Sequence, residues 1–165
     1  MALSSSEQYI TAGIFLPEDA CIVTVRTEWN AEIVQKLQAG VDEVLQAHHV
    51  KQIILEVPGA VEIGFAVSEY WRQSVDKNPP HAFITLGCVL KGDTPHFEYV
   101  CQVVSETITQ LNLTLPVPVI FGVLTVNNQQ QADERTGGVH GNKGSEAAIT
   151  ALKMISLSSF IKKQF

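Results

Sequence analysis

Four short apolar runs, residues 21–25, 53–57, 82–90 and 117–126, punctuate the chain and constrain its fold more than any other feature. They are rich in Val and Ile and do not alternate strictly with polar residues, the pattern of strands buried on both faces. The segments between them have helical spacing. Ile33, Val34, Leu37, Val41, Val44 and Leu45 share one face of a helix that Asn30 is placed to cap. Residues 62–73 and 97–111 carry similar patterns, residues 129–135 a short helix, and residues 144–161 a long terminal one. Strand and helix therefore alternate throughout. Such alternation predicts a parallel sheet with right-handed crossovers and helices on both faces, an α/β fold of the three-layer α/β/α sandwich type.

A length of 165 residues suits one core, so residues 18–165 read as a single domain. Residues 1–17 are polar and then briefly apolar, and fit either a tail or a strand added to a neighbouring subunit. A net charge of −6 argues against a sequence-independent grip on nucleic acid or an anionic membrane, so an anionic ligand needs a local pocket. Cys21, Cys88 and Cys101 are odd in number, lack CxxC spacing and lie in apolar surroundings. They read as buried free thiols of a reducing, cytoplasmic compartment. The N-terminus lacks the pattern of a signal peptide, and no apolar run reaches membrane-spanning length. A mean hydropathy of +0.13 is high for a soluble monomer and hints at surface covered by other subunits.

In parallel sheets ligands bind beyond the carboxyl ends of the strands. The segments there hold most of the unusual residues. Gly92 permits close backbone approach, and the amides of Asp93 and Thr94 precede a helix start, where unpaired N–H groups favour an anion such as phosphate. An ordinary strand-to-helix turn explains the same residues. His96 follows this turn, and imidazole is the side chain best suited to moving protons at neutral pH. No other histidine has comparable context, and no His and acid spacing suggests a metal.

Trp29 stands at a strand end, where it suits stacking on a flat heterocycle as well as packing in a core beside a capping Asn30. In Pro58-Gly59-Ala60-Val61-Glu62 a strand stops and a helix starts, which by itself accounts for Glu62 in a first helical turn. The amides of that turn are also free for a ligand carbonyl. Arg135 and Lys143 flank a glycine-rich loop in an acidic chain. A guanidinium suits phosphate, with Glu146 placed to orient Arg135, yet both cations are equally compatible with a solvated surface.

Together the segments PGAVEI, ITLGCVLKGDTPHFEYV, PVIFGVLTVNNQQQADERTGG and GNKGSEAAITALKMI resemble the lumazine synthases, the 6,7-dimethyl-8-ribityllumazine synthase family, in order and spacing. The likeness runs from about residue 20 to residue 157. It implies a flavodoxin-like sandwich around a four-stranded parallel sheet. The activity it implies is a transferase reaction of riboflavin biosynthesis that uses no cofactor. In it, 5-amino-6-(D-ribitylamino)uracil condenses with 3,4-dihydroxy-2-butanone 4-phosphate, with loss of phosphate and water.

The resemblance places Trp29 on the pyrimidine ring with Asn30 beside it. Ala60, Val61, Glu62, Cys88, Val89 and Leu90 line the uracil and ribityl site. Gly92, Asp93, Thr94 and Arg135 hold phosphate, His96 is catalytic, and Phe121 and Lys143 are pocket residues. Phe121 and Arg135 come from the adjacent subunit, which implies a homopentamer. The short loop 136–142 favours an icosahedral shell of twelve pentamers, and riboflavin synthase is an implied partner. Val61 stands where an aromatic residue is common and Gly64 where proline is common, implying a looser grip on the ring from that side. Two competing classes keep the fold without the reaction: a non-catalytic shell-forming protein and a flavin-binding protein. Fold alone does not separate them.

Overall fold

All four apolar runs become strands of one parallel sheet in the computed structural model, which describes residues 13–165. They are β1 (Cys21–Thr27), β2 (Lys51–Val57), β3 (Ala82–Leu90) and β4 (Val119–Val126). The spatial order is β2-β1-β3-β4. The register runs Cys21 to Lys51 and Thr27 to Val57 between β1 and β2, and Leu90 to Val126 between β3 and β4. The flanking helices are α1 (Ala31–Ala47), α2 (Ile63–Ser74), α3 (His96–Thr114), the short α4 (Gln129–Glu134) and α5 (Lys143–Lys162). This is the expected α/β/α sandwich.

Side chains alternate across the sheet and so build two cores. Ile22, Ile84, Leu86, Ile120 and Leu124 pack with α1 and α5, whereas Val23, Val25, Phe83, Val119 and Val123 pack with α2 and α3. The α1–α5 layer is tight. A Cβ on Gly144 would run into the backbone carbonyl of Leu37, so glycine is what lets the start of α5 touch α1. Asn142 caps α5 by accepting from the amides of Gly144 at 2.8 Å and Ser145 at 3.4 Å.

Several sequence expectations need correction. β2 is an edge strand and not buried on both faces: Ile54 is 42% exposed. Asn30 precedes α1 with left-handed angles, φ 58° and ψ 41°, and makes no side-chain cap. Cys88 is buried, but Cys21 and Cys101 are only half-buried; all three are free thiols. The loop 136–142 folds into a small antiparallel pair, β5 (Thr136–Gly138) and β6 (Gly141–Asn142). Of the N-terminal segment, residues 1–12 lie outside the described residues. Ile14 and Leu16 pack on the α1–α5 core, and the Phe15 amide donates to Ser156 Oγ at 3.1 Å. No described helix is long and apolar enough to cross a membrane.

Candidate active site

The chain leaves β1 for β2 on one side and returns to β3 on the other, so β1 and β3 part at the switch point of the sheet. A crevice is expected there. A cavity of about 390 Å³ occupies it, lined by Thr27, Trp29, Asn30, Ala60, Val61, Glu62, Cys88, Val89, Leu90, His96 and Val100. The family resemblance implies site roles for nine of these residues, which come from three separate strand ends. Thr27 and Val100 are not among them. Thr27 is a buried polar residue at a strand terminus, and its hydroxyl donates to the Trp29 carbonyl at 3.2 Å.

Local structure explains each wall. Thr27 ends β1, and the Glu28 and Trp29 amides donate to the carbonyls of Val57 and Pro58 at 2.8 and 3.2 Å. The turn carrying Trp29 is thereby stitched to the end of β2. Asn30, free of capping duty, donates its side-chain amide to the Cys88 carbonyl at 2.7 Å and joins the ends of β1 and β3. Its left-handed backbone suits asparagine better than most residues. The second wall is a 3-10 turn (Ala60–Glu62) feeding α2.

Electrostatically the slot is apolar at its base and open at its rim. Burial pushes the Cys88 thiol up to about 11, so it stays protonated at neutral pH. Trp29 is 68% exposed and stands at the mouth. His96, the first residue of α3, is exposed and lines the same slot. Beside it Gly92, Asp93 and Thr94 form an exposed turn before α3. A Cβ on Gly92 would meet nothing within 4 Å among the described residues. This geometry leaves room for an anion at the helix start. Lys91 is held by Glu98 at 3.8 Å and lies 5.9 Å over the Phe97 ring.

The remaining predicted residues lie elsewhere. Phe121, Lys143 and Glu146 line a separate groove of about 490 Å³ along the open edge of β4. Arg135 closes α4, where its guanidinium donates to the Gln131 carbonyl at 2.9 Å and sits 3.6 Å from Glu134. It is not among the residues lining the slot. The expected pairing of Glu146 with Arg135 is wrong: Glu146 binds Lys143 at 2.7 and 2.8 Å, a partner three residues away on the same helix.

Fold and cavity define a flavodoxin-like α/β protein with a crevice at the switch point of its sheet. The profile of the 6,7-dimethyl-8-ribityllumazine synthases matches residues 19–159. The chain is 44% identical over 138 residues to the 6,7-dimethyl-8-ribityllumazine synthase of Parabacteroides distasonis, covering 82% of this chain and 84% of that one. It is 50% identical over 133 residues to that of Porphyromonas gingivalis, covering 79% and 80%. To that of Cytophaga hutchinsonii it is 47% identical over 138 residues, covering 80% and 82%. The chain belongs to the 6,7-dimethyl-8-ribityllumazine synthase family.

Proposed function

We propose that this protein is a cytoplasmic enzyme of riboflavin biosynthesis. It condenses 5-amino-6-(D-ribitylamino)uracil with 3,4-dihydroxy-2-butanone 4-phosphate to 6,7-dimethyl-8-ribityllumazine, releasing phosphate and water. The observation that carries this reading is the convergence of Trp29, the Ala60–Glu62 turn, the Cys88, Val89 and Leu90 strand end and His96 on one slot.

In that slot the pyrimidine stacks on the Trp29 indole, and the backbone of the 3-10 turn and of the β3 end meets its polar edge. Asn30, its amide committed to Cys88, keeps its carbonyl oxygen for the ligand. The ketone phosphate enters from the α3 side, where Gly92, Asp93 and Thr94 receive the phosphate. The ring amine attacks the ketone carbon, and water leaves to give an imine. Phosphate then departs by elimination to leave an enol that tautomerises to a ketone, and the second amine attacks that carbonyl and expels a second water as the ring closes. His96 sits between the two binding regions and exchanges protons with the amine during imine formation and with the departing phosphate.

The smallest functional unit is a homopentamer. Phe121 supports this reading: it is 44% exposed on β4, an edge strand among the described residues, in a groove shared with Lys143. Arg135, outside its own chain's slot, completes the phosphate clamp of a neighbour, and Phe121 and Lys143 complete its pocket. The short β5–β6 turn favours assembly of pentamers into an icosahedral shell.

Mixing the purified protein with both substrates tests the function. Product fluorescence should appear faster than in the uncatalysed mixture. A rate equal to that background would point to a non-catalytic shell protein, and bound flavin without turnover to a flavin carrier.

A further inference from the structure

Gly59 has φ −142° and ψ 179°, an extended backbone that any residue adopts. Glycine loses more conformational freedom on folding than any other residue, so its presence here calls for a reason other than strain. Space supplies one. Gly59 is buried at the entry to the 3-10 turn, and a Cβ on it would lie 3.0 Å from Cε3 and Cζ3 of Trp29 and 3.0 Å from Oε2 of Glu62. The indole and the carboxylate come from different strand ends and meet over this one backbone step. Both line the slot.

The backbone of Trp29 is clamped here too: its N–H donates to the Pro58 carbonyl, and its carbonyl accepts from the Thr27 hydroxyl. Its ring, by contrast, is largely exposed and belongs to neither core among the described residues. The bare surface of Gly59 is where the ring rests.

We propose that Gly59 is a positioning residue: its missing side chain seats Trp29 and Glu62 and so sets the width of the slot that receives a flat pyrimidine. This rests on the function proposed above. A methyl group at this position drives the indole outward into the space the heterocycle needs. Both colliding groups are outer parts of exposed side chains, so they yield without disturbing either core. The consequence falls on ligand geometry and leaves folding intact.

Gly59→Ala, Trp29→Phe and the double variant test it as a cycle. Gly59→Ala should raise KM for 5-amino-6-(D-ribitylamino)uracil about tenfold, the size of a lost aromatic contact. The KM for the butanone phosphate, kcat and the melting temperature should stay near wild type. Trp29→Phe removes the fused ring that collides, and in the double variant it should recover most of that loss. A KM that does not move, or a rise that Trp29→Phe does not relieve, overturns the proposal. So does a fall in melting temperature that accounts for the change.

A second readout needs no turnover. The chain has two tryptophans, and Trp71→Phe leaves Trp29 as the sole emitter. Gly59→Ala should then shift its emission in the substrate-free protein, and an unchanged spectrum overturns the proposal. If the unaltered protein itself fails to make the lumazine, the functional reading falls. If it turns over and Gly59→Ala behaves like wild type in every measurement, only the role of Gly59 falls.

Discussion

Around Trp29, side chains from three strand ends meet within one chain; around Arg135, the guanidinium is turned onto its own short helix and away from that slot. The Trp29 slot is lined by one chain because β1, β2 and β3 end together and their turns are stitched by hydrogen bonds. In the turn before α3, Gly92, Asp93 and Thr94 supply a helix start, and the adjacent Lys91 is held by Glu98. Phe121 and Lys143 sit in the groove along β4, an edge strand whose outer backbone is unpaired among the described residues. A parallel sheet with one switch point concentrates a crevice at its centre, whereas on the proposed reading the residues on its outer edge act in a neighbour's site.

The largest effect should come from His96, which both sides share. His96→Ala is expected to lower kcat roughly a hundredfold, as for a lost proton-transfer group, measured above the uncatalysed rate. No change would take His96 out of the reaction. Arg135→Ala is expected to be smaller and one-sided, raising KM for the butanone phosphate about tenfold or more through loss of a charge-assisted contact. An effect confined to the uracil substrate would put Arg135 on the wrong side of the comparison.

The smallest effect concerns buried Cys88 in the lining of the slot. Burial raises the Cys88 thiol above its ordinary value of 9.0 to about 11. A raised thiol pKa means the folded state holds the proton more tightly, so this contribution to stability is fully present below pH 9 and is lost as pH rises toward 11. The melting temperature should fall across that window, less steeply in Cys88→Ala. Iodoacetamide should label Cys88 slowly at neutral pH, and rapid labelling there would show that the base of the slot is wet.

The sequence was most legible where burial is two-sided. β3 spans Ala82–Leu90 as its unbroken apolar run predicts, because both cores press on it. β2 starts two residues earlier than its apolar run, since polar Lys51 and Gln52 are tolerated on an edge. The β5–β6 pair escaped notice because three glycines and two-residue pairing leave no periodic signal. Asn30 was legible as important and misread in role: as a cap it would have served α1, but its left-handed backbone sends the amide to Cys88 instead. Glu146 was matched to Arg135 by nearness along the chain, while helical spacing gave it to Lys143. Thr27 and Gly59 leave no mark in the sequence because one contributes a hydroxyl bound to the Trp29 carbonyl and the other an absent side chain beside Trp29.

The central claim is that a working site takes His96 from one subunit and Arg135 from the next, and co-expression of His96→Ala and Arg135→Ala chains tests it directly. Each variant alone should be impaired. Randomly mixed assemblies made from equal amounts should regain about a quarter of wild-type activity per site, because one interface in four pairs an intact His96 with an intact Arg135. If both residues served one chain's own site, no mixed assembly would contain an intact site. Activity no higher than the average of the two separate variants would contradict the account.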